Sequence, residues 1–531
     1  MTQSQSDSVS RRDLLTLIGM AAGAPVMYQA MTSLGFAQAS HYKGPIRLDG
    51  DPKGAAVLIL GAGLAGMVAA LELRKAGYRV HILEYQDRAG GRCWTLRGGD
   101  EYVELGGARQ VCGFDAGLYL NPGPWRIPFH HHALLDYCKR LGVALQPFVQ
   151  VNHNAYLHAS RAFGGKPQRY GHVQSDLYGH VAELLAKAAR RDMLDEAVSG
   201  EDKAILLEAL KLWGALDENH LYREGAVASE RRGWAVEPRG GLDAAPAPSR
   251  PIGLDDLLRS GIWQNLGVGL QHEYQTPLFQ PVGGMDAIGK AFAREVGDLI
   301  QFGAKVMAVL QDAGGVTVVY IDERNGGQMR QAKVDWCLCT IPLPILGQLE
   351  LNVGAALQNA IDAVAYAPAV KVGLQFRRRF WEEDEGIFGG ISFTDLPITQ
   401  ISYPSADFLQ GGKGVLLGAY AFGVHAVEFT AMPPEERLKR AVEDGARIHP
   451  QYRDEFENGI SVAWHRVPWA LGCNAIWTAA TRAEHYRALC EIDGRVMLAG
   501  EHASYLSGWQ EGAILSALDA VERLHRRVLA G

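Results

Sequence analysis

The sequence predicts an α/β protein in which a Rossmann-like dinucleotide-binding domain is interleaved with a mixed-sheet domain and a helical insertion. Three observations carry this prediction. An apolar run, Ala55-Ala56-Val57-Leu58-Ile59-Leu60, leads into Gly61-Ala62-Gly63-Leu64-Ala65-Gly66, then a helical pattern from Met67 to Arg74, then a second strand, 78–83, ending on Glu84. Strand-like runs recur far down the chain, at 316–321, 333–340 and 495–501. Between these parts, apolar residues at three- and four-residue spacing (Val181, Leu184, Leu185, Leu206, Leu207, Leu210) mark helices, followed by a Pro/Gly-rich loop at 237–253.

Each residue type in the first unit has a physical task. Gly61 permits the tight turn, Gly63 lets the backbone approach a pyrophosphate, and Gly66 lets helix and strand pack closely. The helix that starts around Ala65 offers unpaired N–H groups and a positive dipole end to phosphates. Glu84 can accept hydrogen bonds from ribose hydroxyls, which favours an unphosphorylated ribose, as in FAD or NAD. Directly after it, Asp87-Arg88-Ala89-Gly90-Gly91-Arg92 suits a second close approach to a bound anion.

At 531 residues the chain is expected to form two or three domains. Hydrophobic residues make up 47% and charged residues 21%, an ordinary globular composition. The net charge of −7 argues against nucleic acid and anionic membrane as partners, and no apolar run in the mature chain suits a membrane anchor. At the N-terminus, Ser10-Arg11-Arg12-Asp13-Leu14-Leu15, an apolar stretch and Ala37-Gln38-Ala39 read as a twin-arginine signal peptide over 1–39. Periplasmic or secreted localisation is therefore expected. The seven cysteines are odd in number and scattered, and predict neither a disulfide framework nor a zinc site. His130-His131-His132 are read as structural, because neighbours at a helix start diverge, and no metal is expected. Asn325-Gly326-Gly327 supplies a turn between the strands at 316–321 and 333–340, and the C-terminal helix is placed over 512–528.

The glycine turn, the acid and the Ala89-Gly90-Gly91-Arg92 segment resemble the flavin amine oxidase superfamily, where Glu84 and Arg92 would contact FAD. Further matches occur in order. Gln280-Pro281-Val282-Gly283-Gly284-Met285-Asp286 is similar to the family's glycine-rich segment before a helix, and Val306 to the position whose backbone contacts adenine. Ala499-Gly500-Glu501 and Gly508-Trp509-Gln510-Glu511-Gly512-Ala513 resemble its C-terminal signature. There Gly500 and Glu501 serve the ribityl–phosphate region. The helix start at Trp509, Gly512 and Ala513 lies beneath the flavin, where its dipole stabilises negative charge. The resemblance divides the chain into a FAD-binding domain (54–100, 272–365, 495–531), a substrate-binding domain (101–172, 366–494) and a helical insertion (173–271).

The stretch from Lys371 to Pro404 is most similar to L-amino acid oxidases, in particular bacterial exported ones. By that resemblance Lys371 is the catalytic candidate, a lysine that holds a water near flavin N5. Its apolar strand setting lowers its pKa and suits proton handling or oxygen activation. The substrate carboxylate needs an arginine fork. Gly106-Gly107-Ala108-Arg109 follows the family motif at the expected distance from Arg92, so Gly107, Ala108 and Arg109 are placed at the cofactor, and Arg109 is favoured as the clamp. Gly123-Pro124-Trp125-Arg126-Ile127-Pro128 resembles the same motif as snake-venom L-amino acid oxidases write it, so Arg126 is the other choice. Tyr420 matches the tyrosine that donates to the carboxylate, and Trp509 is expected to line the substrate cavity.

The resemblance implies oxidative deamination of L-amino acids by hydride transfer from Cα to flavin N5. The products are a 2-oxo acid, ammonia and hydrogen peroxide, the co-substrate is oxygen, and a homodimer or higher oligomer is expected. An amine oxidase acting on substrates without a carboxylate, and an amino acid 2-monooxygenase, stay open as alternatives.

Overall fold

A computed structural model describes residues 42–191, 193 and 199–530. The signal-peptide segment lies outside the described residues. Strand Ala56–Leu60 is apolar throughout and all but its first residue is buried, as a central parallel strand requires. It stands in the middle of a five-stranded sheet ordered Ile300–Phe302, Arg79–Glu84, Ala56–Leu60, Trp336–Cys339, Val496–Leu498. Every pairing is parallel. The register sets Leu60 opposite both Leu83 and Cys339, so Gly61, Glu84 and Thr340 share the carboxyl edge of the sheet, where ligands of open α/β sheets bind.

The two faces of Ala56–Leu60 enter different cores. Val57 and Ile59 pack with Val68 and Leu71 of helix Leu64–Lys75 and with Ile514, Leu518 and Val521 of helix Gln510–Ala530. Leu58 and Leu60 pack against Val316, Val318 and Tyr320 of a four-stranded sheet. That sheet is ordered Gln328–Val334, Gly315–Asp322, Ala304–Asp312, Glu350–Leu351. The expected single strand over 333–340 is in fact split. Asp335 exchanges bonds with Ala56, its Oδ2 accepting from the Ala56 N–H at 2.7 Å. Residues on either side of Asp335 therefore join different sheets. The last helix begins at Gln510, two residues before the sequence placed it.

The second domain is built on seven strands ordered Gln168–Arg169, Tyr156–His158, Ile391–Thr394, Gln400–Ser402, Gly414–Phe422, Ala369–Phe376, Phe456–Ala463. Ala369–Phe376 is buried at every position, with Lys371 opposite Tyr420 on one neighbour and Val462 on the other. Helices Tyr170–Arg190, Gly200–Gly214, Ala226–Arg232 and Leu254–Ser260 pack beside it. A small sheet of Ile127–Pro128, Leu278–Pro281 and Leu145–Phe148 brings the 123–132 segment against residues 272–281.

Residues 101–111 form a hairpin in which Val103 pairs with Arg109. Its anchor is a buried ion pair. Glu104 Oε2 accepts from Arg437 Nη2 at 2.9 Å, and both side chains are 1% exposed. Glu104 Oε1 also accepts from Gln110 Nε2 at 2.9 Å and the Tyr102 hydroxyl at 3.1 Å. Removing one member leaves an uncompensated buried charge, so Glu104→Ala is expected to lower stability by about 3–5 kcal/mol. The double variant Glu104→Met/Arg437→Met is expected to regain much of that loss. Denaturant unfolding of the three proteins checks this; a loss below about 1 kcal/mol in Glu104→Ala is the signature of an exposed pair and contradicts it.

Candidate active site

A cavity of about 650 Å³ opens at the carboxyl edge of the parallel sheet and runs into the seven-stranded domain. Its first stretch is lined by Gly61, Gly63, Ala65, Glu84, Gly91, Arg92 and Val306. Gly61 has φ +100°, the conformation a turn this tight needs. A Cβ on Gly66 would sit 2.0 Å from the Gly61 carbonyl oxygen, so Gly66 holds helix to turn without lining the cavity. A Cβ on Gly63 would meet open space, which is where an approaching pyrophosphate fits. The Gly90 N–H donates to Ala62 O at 2.8 Å, locking the second glycine turn onto the first. Glu84 accepts from the Ala62 N–H at 2.6 Å and the Gln86 N–H at 2.9 Å; burial pushes its carboxyl up against those bonds.

Arg92 Nη1 donates to Glu501 Oε1 at 2.8 Å and to Cys473 O at 2.7 Å. Glu501 also accepts from the Gly508 N–H at 2.9 Å. Burial opposes ionisation of Glu501, yet the adjoining Arg92 guanidinium holds its carboxyl below the usual range. Gly500 takes φ +144°, and a Cβ there would stand 2.7 Å from the His502 ring. Gly512 lies behind the wall, where a Cβ would be 2.1 Å from Leu506 O, while Trp509 and Ala513 face the cavity at the start of the last helix. Glu511, absent from the expected site, is fully buried and caps helix His132–Arg140 by accepting from the Ala133 and Leu134 N–H groups at 3.0 and 2.8 Å. These glycines, the helix start and the Glu84 carboxylate together fit a flavin dinucleotide.

The second stretch is aromatic: Trp125, Tyr274, Phe393, Tyr420, Phe422 and Trp509. Arg126 stands here. Its guanidinium lies over the rings of Tyr274 (4.3 Å) and Trp125 (5.0 Å). Its Nε and Nη1 are buried without a hydrogen-bond partner. Arg109 is elsewhere, which corrects the preference for it. In strand Arg109–Val111 the side chains alternate, and Gln110 points inward to bond Ser461 O at 2.9 Å. Arg109 must then point outward, where it is 65% exposed and paired with Glu101. Gly107 and Ala108 belong to the exposed turn of the same hairpin and do not line the cavity.

Lys371 is fully buried and does not reach the cavity surface. Its Nζ donates to Asn121 O at 3.1 Å and Gly123 O at 2.5 Å, and sits 4.6 Å from the Trp125 ring and 4.5 Å from the Tyr420 ring. Burial, with Arg126 adding to it, pushes its pKa well below that of an ordinary lysine. Lys371 thus holds the carbonyls of the segment that presents Trp125 and Arg126. His130 and His131 also depart from expectation. They precede the helix, with His131 at φ −79° and ψ 69°, so their side chains converge. Both Nε2 atoms meet Glu273 Oε2, at 3.2 and 2.9 Å. Tyr274, Gln150 and the Asn121 and Gly123 carbonyls escaped sequence reasoning; only the dense turn signal Asn121-Pro122-Gly123-Pro124 pointed toward any of them.

Comparison with known proteins places this geometry. The chain matches the family described as flavin containing amine oxidoreductase over residues 64–525. It is 29% identical over 484 residues to an L-amino-acid oxidase of Siganus canaliculatus, covering 89% of this chain and 86% of that protein. It is 29% identical over 512 residues to the flavin-dependent L-tryptophan oxidase RebO of Lentzea aerocolonigenes, covering 88% and 97%. Among solved structures, putrescine oxidase bound to putrescine superposes with a TM-score of 0.58 at 17% identity, covering 90% of this chain and 99% of that one. Cyclohexylamine oxidase from Brevibacterium oxydans IH-35A gives 0.58 at 17%, covering 90% and 100%. The cavity, its glycine turns and the match along most of its length make this chain a member of the flavin containing amine oxidoreductase family, with FAD as its cofactor.

Proposed function

We propose that the protein oxidises L-amino acids to 2-oxo acids, releasing ammonia and hydrogen peroxide. The observation that carries this reading is Arg126. It is a cavity-lining guanidinium with no ion-pair partner among the described residues and two buried N–H groups left unbonded. An unpaired, half-buried cation with two nitrogens out of water is costly, and a carboxylate is the anion whose geometry matches its fork. A substrate without a carboxylate would leave it unpaired. The L-amino-acid oxidases among the relatives support the same substrate class.

FAD, held along Gly63, Glu84, Arg92 and Glu501, would supply the acceptor for the hydride leaving the substrate Cα and the route of its electrons to oxygen. The chain supplies the placement. Arg126 fixes the carboxylate, with Tyr420 and Trp125 as adjoining walls whose rings stand 5.2 Å apart. Holding the carboxylate leaves one orientation for Cα, and that loss of freedom before reaction is where the protein lowers the barrier. The aromatic lining excludes water and favours bulky apolar side chains. Lys371 keeps Arg126 in place through the Asn121 and Gly123 carbonyls. The twin-arginine pattern at Ser10–Leu15 supports action outside the cytoplasm, which cell fractionation checks.

Peroxide release by the purified protein against the L-amino acids and their decarboxylated amines tests the reading; activity confined to amines defeats it. Arg126→Met is expected to lower kcat/KM for L-amino acids by about 10²–10³-fold, the loss of one buried charge-assisted contact of about 2.7–4 kcal/mol. Arg109→Ala is expected to leave kcat/KM unchanged. In Lys371→Met the 121–126 segment loses its anchor, and flavin reduction by substrate is expected to slow by up to about 10²-fold. Stopped-flow traces of the two half-reactions decide the role of Lys371. A defect confined to reoxidation by oxygen would replace positioning with a direct part in oxygen chemistry.

A further inference from the structure

His130, His131 and Glu273 form a cluster that the amino acid chemistry above does not use. The three side chains are buried, at 3%, 1% and 3% exposure. Their ligand-capable atoms all lie within 4.8 Å of one another. The imidazole Nε2 atoms stand 3.2 and 2.9 Å from Glu273 Oε2. These spacings are close to the edge of a tetrahedron drawn with metal–ligand bonds of about 2.0–2.1 Å, roughly 3.3 Å. A small outward movement of the Glu273 carboxylate opens room for an ion at the centre.

Hydrogen bonding alone leaves the cluster incomplete. Glu273 Oε1, His130 Nδ1 and His131 Nδ1 are buried without partners. Among the described residues no lysine or arginine forms an ion pair with Glu273; its ion-pair partners there are the two histidines. Two imidazole nitrogens and one carboxylate oxygen suit a borderline ion such as zinc far better than calcium or magnesium, which take oxygen ligands. Glu273 Oε1 is left free of other partners in the structure, and His131 borders the cavity, from which a water can complete the shell.

We propose that His130, His131 and Glu273 bind one divalent transition-metal ion, zinc by its ligand chemistry. The ion clips the segment bearing Arg126 to the turn bearing Tyr274. The clip joins parts of the chain 142 residues apart. Its position gives it a purpose. Tyr274 follows Glu273 directly and carries the Arg126 guanidinium on its ring at 4.3 Å, while His131 contacts the Trp509 ring at 5.0 Å. The ion therefore sets the wall of the cavity from behind His131.

The test uses the full-length holoenzyme, stripped with chelator, equilibrated with zinc chloride and passed through gel filtration. Metal analysis is expected to find about one zinc per chain, as a buried site of three protein ligands and a water retains it. Glu273→Gln and His130→Gln are expected to lose that zinc and keep the flavin absorbance, because neither residue lines the cavity. His132→Gln, an exposed neighbour, is expected to keep it. Zinc at background in the wild-type protein, or unchanged in Glu273→Gln and His130→Gln, overturns the proposal. If those variants do not fold, X-ray absorption at the zinc edge of the wild-type protein decides. Imidazole nitrogen with oxygen supports the site, and a sulfur or all-oxygen shell overturns it.

Discussion

Nothing larger than hydrogen fits between strand, turn and helix where the chain enters its first βαβ unit. The Gly66 Cα lies so close to the Gly61 carbonyl that a methyl group there would overlap it at 2.0 Å. Gly91 is a milder case, at φ +55° with a Cβ that would press on the Gly63 Cα at 3.3 Å. Much depends on this contact. Helix Leu64–Lys75 lies on the sheet because Gly66 allows it, and its apolar face then packs with helix Gln510–Ala530 in one core. That second helix carries Trp509 and Ala513 to the far stretch of the cavity and Glu511 to the cap of helix His132–Arg140. Backbone proximity at one turn is thereby transmitted through packed side chains to the substrate wall.

The parts of the fold written in neighbouring residues were legible in the sequence. A buried strand, three spaced glycines, a helix and a terminal acid have chemistry that local order alone prescribes, and Gly61–Glu84 fold as read. The split at Asp335 was not legible. Lys333–Thr340 alternates like a single strand, and only the bonds between Asp335 and Ala56 redirect it. The two arginines show the same limit at the site. Arg109 and Arg126 each end a segment that resembles the same family motif, so the motif cannot choose between them. Their directions come from distant partners: Ser461 draws Gln110 inward and so turns Arg109 out, while Lys371 holds Gly123 and with it the approach to Arg126. His130 and His131 likewise meet a glutamate with no sequence signature of its own.

The electrostatics of the aromatic stretch follow from what is kept out of it. Lys371 is driven toward its neutral form by burial behind Trp125 and Tyr420. Arg92 is neutralised by Glu501. Glu273 is screened from the cavity by His131 and Tyr274, which line it where Glu273 does not. Among the described residues Arg126 is left as the uncompensated charge of that stretch. A lone cation among aromatic walls discriminates by sign and by shape together. It rewards a carboxylate and leaves the remainder of a ligand to apolar contact.

The parallel sheet is assembled out of chain order, and this has a consequence for biogenesis. Its edge strand Val496–Leu498, the Glu501 partner of Arg92 and the helix that covers Ala56–Leu60 are all made last. Until the ribosome releases the chain, strand Trp336–Cys339 has one bare edge and helix Leu64–Lys75 lacks its neighbour. The nascent protein therefore spends nearly the whole of its synthesis with apolar surface uncovered, in the slow, long-range class of topologies that depends on chaperones. A ribosome that stalls or terminates a few dozen codons early yields not a slightly shortened enzyme but a chain that cannot close its core.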